Sequence, residues 1–270
     1  MLTHFSSRVV LIAGLASVVF AVAPKNGSTG AEAAPTGPLL VGAAVSLTEP
    51  LQSLAPAFAS AKKLPIPTFN FASSGVLMKQ IQEGAPIDVF VSAGDKQMDI
   101  LEKAGLLLEG TRRDILGNEL VLVVPATTPS RSLAIQGLTA ESIRRIAIGD
   151  SSVPAGDYAR QTLAFFKLGD AVQAKLVPLG SVRAVANAVA AGDVDAGFVY
   201  RSDAQNLASL RIVALAPEKS HAPIRYSAAV IKSSRQAQPA KAYLQSLTSP
   251  QASQVFKRFG LIPLTSATAK

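Results

Sequence analysis

The sequence predicts an α/β fold with parallel-dominated mixed sheets. Short runs rich in β-forming residues alternate with stretches of helical periodicity from about residue 39 onwards, which is typical of strand–helix–strand units. Of the 270 residues, 49% are hydrophobic and 16% are charged. This is an ordinary globular composition, and the length is sufficient for one or two domains with a sizeable core.

The first 33 residues have the plan of a secretory signal peptide. Arg8 precedes an apolar run at 9–22, and Ala31-Glu32-Ala33 follows as a cleavage box. A membrane anchor is the alternative, but the run of about 14 residues is shorter than the roughly 20 that a spanning helix needs. We therefore predict that residues 1–33 are a cleaved signal peptide. A cut after Ala23 is a second candidate, made less favourable by Pro24.

Charge and cysteine content narrow the class of protein further. The chain has no cysteine, so an exported form would contain no disulfide and no lipid-anchored cysteine, which favours the periplasm of a Gram-negative cell. The net charge of +8 becomes +7 without residues 1–33, which leaves 24 basic and 17 acidic residues. The lysines and arginines are dispersed, without a basic–aromatic cluster, so we expect no nucleic-acid partner and only a mild attraction for anions.

The first part of the alternation contains three strands, each followed by a helix. The strands are predicted at 39–45, 66–71 and 87–91, and the helices at 47–62, 75–83 and 96–104. In the first helix Leu47, Leu51 and Phe58 fall on one face, which indicates an amphipathic helix packed on a core.

The remainder of the chain continues the same alternation. Strands are predicted at 120–124, 146–149, 174–177, 196–199, 212–215 and 225–231, and helices at 140–145, 157–167, 182–191, 202–207, 237–247 and 250–258. We predict two lobes, with the chain crossing between them near 117–119 and returning near 225–227. Lobe 1 is then discontinuous (34–117 plus 227–270), and lobe 2 comprises 118–226.

Small residues stand at four strand-to-helix junctions. Ser46, the pair at 73–74, the segment at 153–156 and Ser181 each precede or open a predicted helix. Such helix starts expose backbone N–H groups and the positive end of a helix dipole, which favours anion binding. Serine is also a common helix cap that needs no ligand. Tyr200 ends a strand at the same edge, either as a further donor or as a half-buried tyrosine with its tip in water.

A series of segments in fixed order resembles one known family. The segments are Ala43-Ala44-Val45-Ser46-Leu47-Thr48, Phe71-Ala72-Ser73-Ser74-Gly75, Gly84-Ala85-Pro86-Ile87-Asp88-Val89-Phe90-Val91-Ser92-Ala93, Leu116-Gly117-Asn118, Val153-Pro154-Ala155-Gly156, Ser181-Val182-Arg183, Gly197-Phe198-Val199-Tyr200 and Phe256-Lys257-Arg258-Phe259-Gly260. Together they resemble the periplasmic molybdate-binding proteins over about residues 38 to 262.

The resemblance implies a type II periplasmic binding fold, with two lobes around a ligand cleft. It implies that an oxyanion is held by side chains and backbone amides, and its metal is reached only through the oxygens of that anion. The implied ligand residues are Ser46, Ser74, Ala155, Val182 and Tyr200.

The resemblance also implies the function: capture of molybdate or tungstate and delivery to the permease of an ABC importer. We expect no cofactor, no enzymatic activity, no stable membrane insertion and a monomer. The alternatives are a same-fold protein for another oxyanion such as sulfate, and an exported hydrolase. A serine hydrolase would need a general base, and only His4 and His221 are present.

Some residues are assigned supporting roles or depart from the family pattern. Asp88 and Asp150 are expected to be structural, and Arg183 is expected to point along its helix surface rather than at the ligand. Gly75 stands where the family often has serine, and we expect this departure to affect only the stiffness of the loop. Val45 and Ser227 are further departures, at positions where alanine and proline are frequent.

Overall fold

The computed structural model describes residues 37–129, 133–205 and 207–264. The predicted signal peptide lies outside the described residues. Within them, no helix combines the length and apolar character needed to cross a membrane.

Two β-sheets, with helices packed against them, make up the described part of the chain. The first sheet has the strand order β11-β4-β10-β3-β1-β2 and the second has the order β7-β6-β8-β5-β9. The strands are β1 Leu40–Ala44, β2 Thr68–Ala72, β3 Val89–Ser92, β4 Arg113–Gly117, β5 Leu120–Pro125, β6 Ile146–Gly149, β7 Leu176–Leu179, β8 Ala196–Tyr200, β9 Leu210–Leu215, β10 Arg225–Val230 and β11 Ile262–Pro263.

The α-helices follow the strands as the alternating pattern requires. They are α1 Thr48–Lys62, α2 Ser74–Gln82, α3 Asp95–Lys103, α4 Pro154–Phe165, α5 Gly169–Val172, α6 Val182–Ala191, α7 Arg201–Ala204, α8 Ala237–Ser246 and α9 Pro250–Arg258. A 3₁₀ turn, Val45–Leu47, joins β1 to α1.

The prediction of an α/β fold with mixed sheets is confirmed, but the expected predominance of parallel strands is wrong. Among the described strands four neighbouring pairs are parallel and five are antiparallel. Central strands such as β5 and β8 are apolar throughout. A buried strand has this composition whichever way its neighbour runs, so the hydrophobic pattern does not encode direction.

The other errors lie at short elements. The helix expected at 140–145 is absent, and a 3₁₀ helix at Ile135–Thr139 precedes that stretch. The amides of Arg144 and Arg145 donate instead to Asp195 Oδ2, at 2.7 and 2.8 Å. This carboxylate stabilises an extended approach to β6. Strands β4 and β11 were not predicted.

The chain passes between the sheets twice. It leaves the first sheet at Gly117 and enters the second at Leu120. The return lies between Leu215 and Arg225, because Arg225 and Tyr226 pair with β4 of the first sheet. These two residues had been assigned to the second lobe. The division into two lobes stays a prediction.

One large hydrophobic cluster extends over both sheets. It includes Val41 and Val91 of the first sheet and Phe198 and Val199 of the second, all of them buried. A smaller cluster around Leu77 fills the space beneath α2 and α3. Each fully buried aliphatic or aromatic side chain contributes about 1.5–3 kcal/mol, so the strand ends are held by a well-packed core.

Candidate anion-binding site

A small cavity lies where strand ends of both sheets meet the starts of several helices. We call it the anion cavity. It is lined by Ala44, Val45, Ser46, Ala72, Ser73, Ser74, Ala93, Val153, Pro154, Val182 and Tyr200. Its volume is about 10 Å³, close to what a single water requires.

Four of the five predicted ligand residues line this cavity. They are Ser46, Ser74, Val182 and Tyr200. Ala155 is buried beside them, and the cavity wall there is formed by the two residues before it, Val153 and Pro154. The structure thus brings the predicted residues together, while their contact with a ligand stays a prediction.

The hydroxyl of Ser46 is held by a chain of side chains, which we call the Ser46 corner. Ser46 Oγ lies 3.0 Å from the hydroxyl of Tyr226. Asn118 Nδ2 donates to the Tyr226 hydroxyl at 3.1 Å and to Ser202 Oγ at 2.8 Å. Burial raises the pKa of Tyr226 well above its ordinary value, so this phenol stays protonated and neutral.

The hydroxyl of Ser74 is held by a backbone peptide, and we call this arrangement the Ser74 corner. The amide of Ala93 donates to Ser74 Oγ at 3.0 Å, and the carbonyl of Ala93 accepts from the Tyr200 hydroxyl at 3.1 Å. Because Ser74 accepts from an amide, its own O–H is left to donate. Tyr200 has a single O–H, which is directed to Ala93 rather than into the cavity.

Two helix starts supply backbone donors on the side of the second sheet. Val182 and Ala155 lie in the first turns of α6 and α4, where N–H groups have no intrahelical acceptor. Ser181 caps α6 by accepting from the amide of Ala184 at 3.1 Å. A Cβ on Gly156 would lie 2.1 Å from the carbonyl oxygen of Gly149, so glycine is required for α4 to approach β6 this closely.

The start of α2 touches the loop after β6 directly. The amide of Gly75 donates to the carbonyl of Ser152 at 2.9 Å, and Ser73 Oγ lies 3.0 Å from Ser152 Oγ. A Cβ on Gly75 would lie 2.6 Å from the Ser152 carbonyl oxygen. The missing side chain of Gly75 permits this contact, which the expectation of an effect on loop stiffness alone did not include.

The expected structural carboxylates are confirmed in that role. Asp150 Oδ1 accepts from the amide and the hydroxyl of Ser152 at 2.8 and 2.7 Å, which positions the loop that touches Gly75. Asp88 accepts from the Leu40 amide at 2.9 Å and from Ser234 Oγ at 2.6 Å.

Arg183 follows Val182 and extends away from the anion cavity. It donates to both carboxylate oxygens of Glu49, at 2.7 and 2.8 Å. The pair joins α6 to α1, which follow strands of different sheets. Both side chains are about half exposed, 42% for Arg183 and 50% for Glu49, so the pair is screened by solvent.

A second cavity adjoins Ser46 on the side of this ion pair. It is also lined by Glu49, Arg183, Ser202 and Asp203. Asp203 Oδ2 is buried and has no hydrogen-bond partner among the described residues. Burial raises the pKa of Asp203 to about 7, while the charge of Arg183 opposes this shift and that of Glu49 adds to it.

Sequence reasoning missed the residues that support the site. Asn118 lies in one of the family-like segments, yet no role was assigned to it. Tyr226, Ser202 and Ser152 carry no local signal, because each acts through a partner distant in sequence. Asp203 follows Tyr200 by three positions and could have been noticed as an acidic residue near the site. The burial of its Oδ2 atom could not have been predicted from the sequence.

Comparisons with known proteins find similarity to bacterial solute-binding proteins over most of the chain. A family model described as bacterial extracellular solute-binding protein matches residues 39–262. The molybdate-binding protein ModA of Escherichia coli is 36% identical over 255 residues, which cover 93% of this chain and 96% of that protein. ModA of Haemophilus influenzae is 34% identical over 222 residues, 81% of this chain and 87% of that protein. The periplasmic molybdate-binding protein of Azotobacter vinelandii superposes with a TM-score of 0.75 at 27% identity, covering 84% of this chain and 100% of that one.

Proposed function

This chain belongs to the bacterial extracellular solute-binding protein family, and we propose that it captures molybdate or tungstate and delivers the anion to the permease of an ABC importer. The observation that carries the proposal is the convergence of three helix starts on the anion cavity. Ser46, Ser74 and Val182 line it from three helix starts, as expected of a site for a small tetrahedral oxyanion.

Neutral donors can hold a dianion without a cationic partner if every oxygen receives a hydrogen bond. The proposed donors are the hydroxyls and amides of Ser46 and Ser74, the amides of Ala155 and Val182, and the hydroxyl of Tyr200. Hydrogen bonds to charged groups contribute about 1.5–3 kcal/mol each, so about seven of them would outweigh the ordering costs and permit sub-micromolar binding.

We propose that Tyr200 reaches the anion by exchanging acceptors. Its hydroxyl now donates to the Ala93 carbonyl at 3.1 Å. A bound dianion is the stronger acceptor and would draw the same proton toward itself. The small volume of the anion cavity, about 10 Å³, also means that the walls must separate to admit an oxyanion. We propose that two lobes, 34–117 plus 227–270 and 118–226, open and close for this purpose.

A set of donors also discriminates among anions. A protonated phosphate brings an O–H of its own, which would meet donors and remain unpaired. Sulfate is fully deprotonated and must be rejected because it is smaller. Molybdate and tungstate are nearly identical in size, so we expect both to bind.

We further propose that the chain is not an enzyme. The hydroxyls of Ser46 and Ser74 contact the Tyr226 hydroxyl and the Ala93 amide, respectively. Neither group is a general base at neutral pH. A backbone amide N–H does not accept a proton, and the Tyr226 phenol keeps its own proton because burial raises its pKa. His221, the other candidate for a general base, is hydrogen-bonded to the carbonyl of Ala222 at 2.7 Å and not to either serine hydroxyl.

We place the mature protein in the periplasm as a monomer, released by cleavage after Ala33 or, less favourably, Ala23. N-terminal sequencing of the exported protein would distinguish these two sites.

The function is tested by calorimetric titration of the mature, dialysed protein with molybdate, tungstate, sulfate and phosphate. We expect tight one-to-one binding of the first two and no heat from the others. Tight binding of sulfate would favour the sulfate alternative, and silence from all four anions would contradict the proposal.

A further inference from the structure

We propose that Tyr226 is a positioning residue that fixes the direction of the Ser46 hydroxyl, so that Ser46 presents its O–H as a donor to the bound oxyanion. Tyr226 is one of the largest fully buried side chains and is not among the residues that line the anion cavity. Its hydroxyl would act on the ligand through Ser46, whereas its ring also packs against that of Tyr200, with the centroids 5.7 Å apart, a contact that phenylalanine at this position would retain. The inference rests on the proposed function and deepens it by naming a determinant of anion specificity.

The direction of the chain is set at Asn118. The amide of Glu119 donates to Asn118 Oδ1 at 2.9 Å, and a backbone N–H can only donate. Asn118 Oδ1 is therefore identified as the acceptor, which leaves Nδ2 facing Tyr226 and Ser202. The orientation of this side-chain amide thus follows from a group whose role is unambiguous.

The next link is the hydroxyl of Tyr226. Its oxygen accepts from Asn118 Nδ2 at 3.1 Å, so its single O–H is free to point elsewhere. Ser46 Oγ lies 3.0 Å away and is the partner that receives this proton. Burial keeps the phenol protonated by raising its pKa, so the donor persists throughout the physiological pH range.

The last link is Ser46. Once its oxygen accepts from Tyr226, its own O–H is the group left for the anion cavity. An oxyanion without protons finds a donor at this position in the free protein, before binding. An anion that carries a proton would have to donate it to the second lone pair of Ser46 Oγ, and the Ser46 O–H would then have to turn away from that anion oxygen and lose it as an acceptor. The Ser46 corner therefore stabilises fully deprotonated anions over protonated ones.

A double-mutant cycle tests whether Tyr226 acts through Ser46. Tyr226→Phe retains the buried ring and removes only the hydroxyl. We expect the molybdate dissociation constant to rise about three- to tenfold in the native background, the usual effect of losing one hydrogen bond between neutral groups. In a Ser46→Ala background the same substitution should change it by less than about twofold, because the intermediary is already gone.

Two controls accompany the cycle. Tyr243→Phe removes another buried hydroxyl, one with no partner among the described residues, and should leave the dissociation constant unchanged. In a Ser74→Ala background, Tyr226→Phe should retain its full effect, because Ser74 is held by Ala93 and not by Tyr226. Circular dichroism would establish that each variant is folded.

The outcomes separate the inference from the function. If Tyr226→Phe weakens binding by the same factor with and without Ser46, or leaves it unchanged in the native background, the inference is overturned. If the native protein does not bind molybdate, the proposed function fails first. Should Tyr226→Phe not fold, Asn118→Ala takes its place in the same cycle, with the same expected dependence on Ser46.

Discussion

The two serine corners of the anion cavity reach the same chemistry by different means. At the Ser74 corner the hydroxyl accepts from the backbone amide of Ala93, a donor that no substitution removes short of proline. At the Ser46 corner it contacts Tyr226, which accepts in turn from Asn118. The Ser74 corner is therefore built into the fold, whereas the Ser46 corner depends on side chains that can be exchanged. Substitutions that tune the affinity for the anion should therefore be found at the Ser46 corner.

The largest expected effect is the loss of either serine hydroxyl. Ser74→Ala and Ser46→Ala should each raise the molybdate dissociation constant by about 10- to 100-fold, the effect of losing a hydrogen bond to a charged group. Ser74→Ala should also lower the melting temperature, because it leaves the buried amide of Ala93 without its acceptor. Calorimetry and thermal unfolding would measure both effects.

Ser181→Ala is the matched control for these substitutions. Ser181 also precedes a helix, but its hydroxyl accepts from the Ala184 amide. Its loss should cost about 1 kcal/mol of stability as a missing helix cap and change the dissociation constant by less than about threefold. A loss of affinity comparable to that of Ser74→Ala would show that the serines are equivalent and that the comparison is wrong.

A substitution at Gly75 tests whether the contact between α2 and Ser152 supports the Ser74 corner. In Gly75→Ala the new Cβ would lie 2.6 Å from the Ser152 carbonyl oxygen, which separates α2 from the loop after β6. We expect molybdate to bind about tenfold more weakly, an overpacking cost of about 1–3 kcal/mol shared between affinity and stability. Titration with molybdate would measure the change. Unchanged affinity would mean that this contact is irrelevant to the bound form.

Asp203, which lines the second cavity beside the Ser46 corner, should make the stability of the folded protein depend on pH. Its pKa in the folded chain is raised to about 7 by burial, above the value of about 3.9 in an unfolded chain. Between these values the folded chain holds a proton that the unfolded chain has lost. The free energy of unfolding therefore falls as the pH rises from about 4 through 7 and then levels off.

Asp203→Asn should flatten this dependence. We expect the variant to melt a few degrees above the native protein at pH 8, on a scale of about 2–4 °C for each kcal/mol, and to gain less at pH 5. Melting curves of both proteins from pH 5 to 8 would measure the difference. Parallel curves would show that Asp203 does not titrate in this range.

The smallest effect is expected at the ion pair between Glu49 and Arg183. Both side chains are about half exposed, and pairs of this kind contribute about 0–1 kcal/mol. Glu49→Gln should weaken molybdate binding by less than about fivefold, and the difference from native should shrink at high salt. Titrations at low and high ionic strength would check this, and a salt-independent loss would contradict a screened surface pair.

The sequence predicted the features that depend on interactions between residues close to each other in the chain. The starts of α2, α4 and α6 were predicted to within a few residues, because serine, proline and small residues act on the helix that they precede. These local signals brought Ser46, Ser74 and Val182 to one cavity. The same pattern also singled out the segment at 153–156 and Tyr200, and the family resemblance implied the ligand role of all five residues.

What the sequence could not predict depends on distant partners. Asn118 and Tyr226 are 108 positions apart, and the contact between Gly75 and Ser152 likewise joins separate segments. The helix at 140–145 was mispredicted because Asp195 takes two of its amides. The direction of the central strands was missed because burial selects apolar residues in either orientation.

Whether neutral donors from three helix starts hold the oxyanion would be decided by a crystal structure of the mature protein with molybdate. We expect the anomalous signal of molybdenum to lie within the anion cavity, with oxygens in hydrogen-bond range of Ser46 Oγ, Ser74 Oγ and the amide of Val182. Molybdenum in the second cavity, bound to Arg183, would contradict the account.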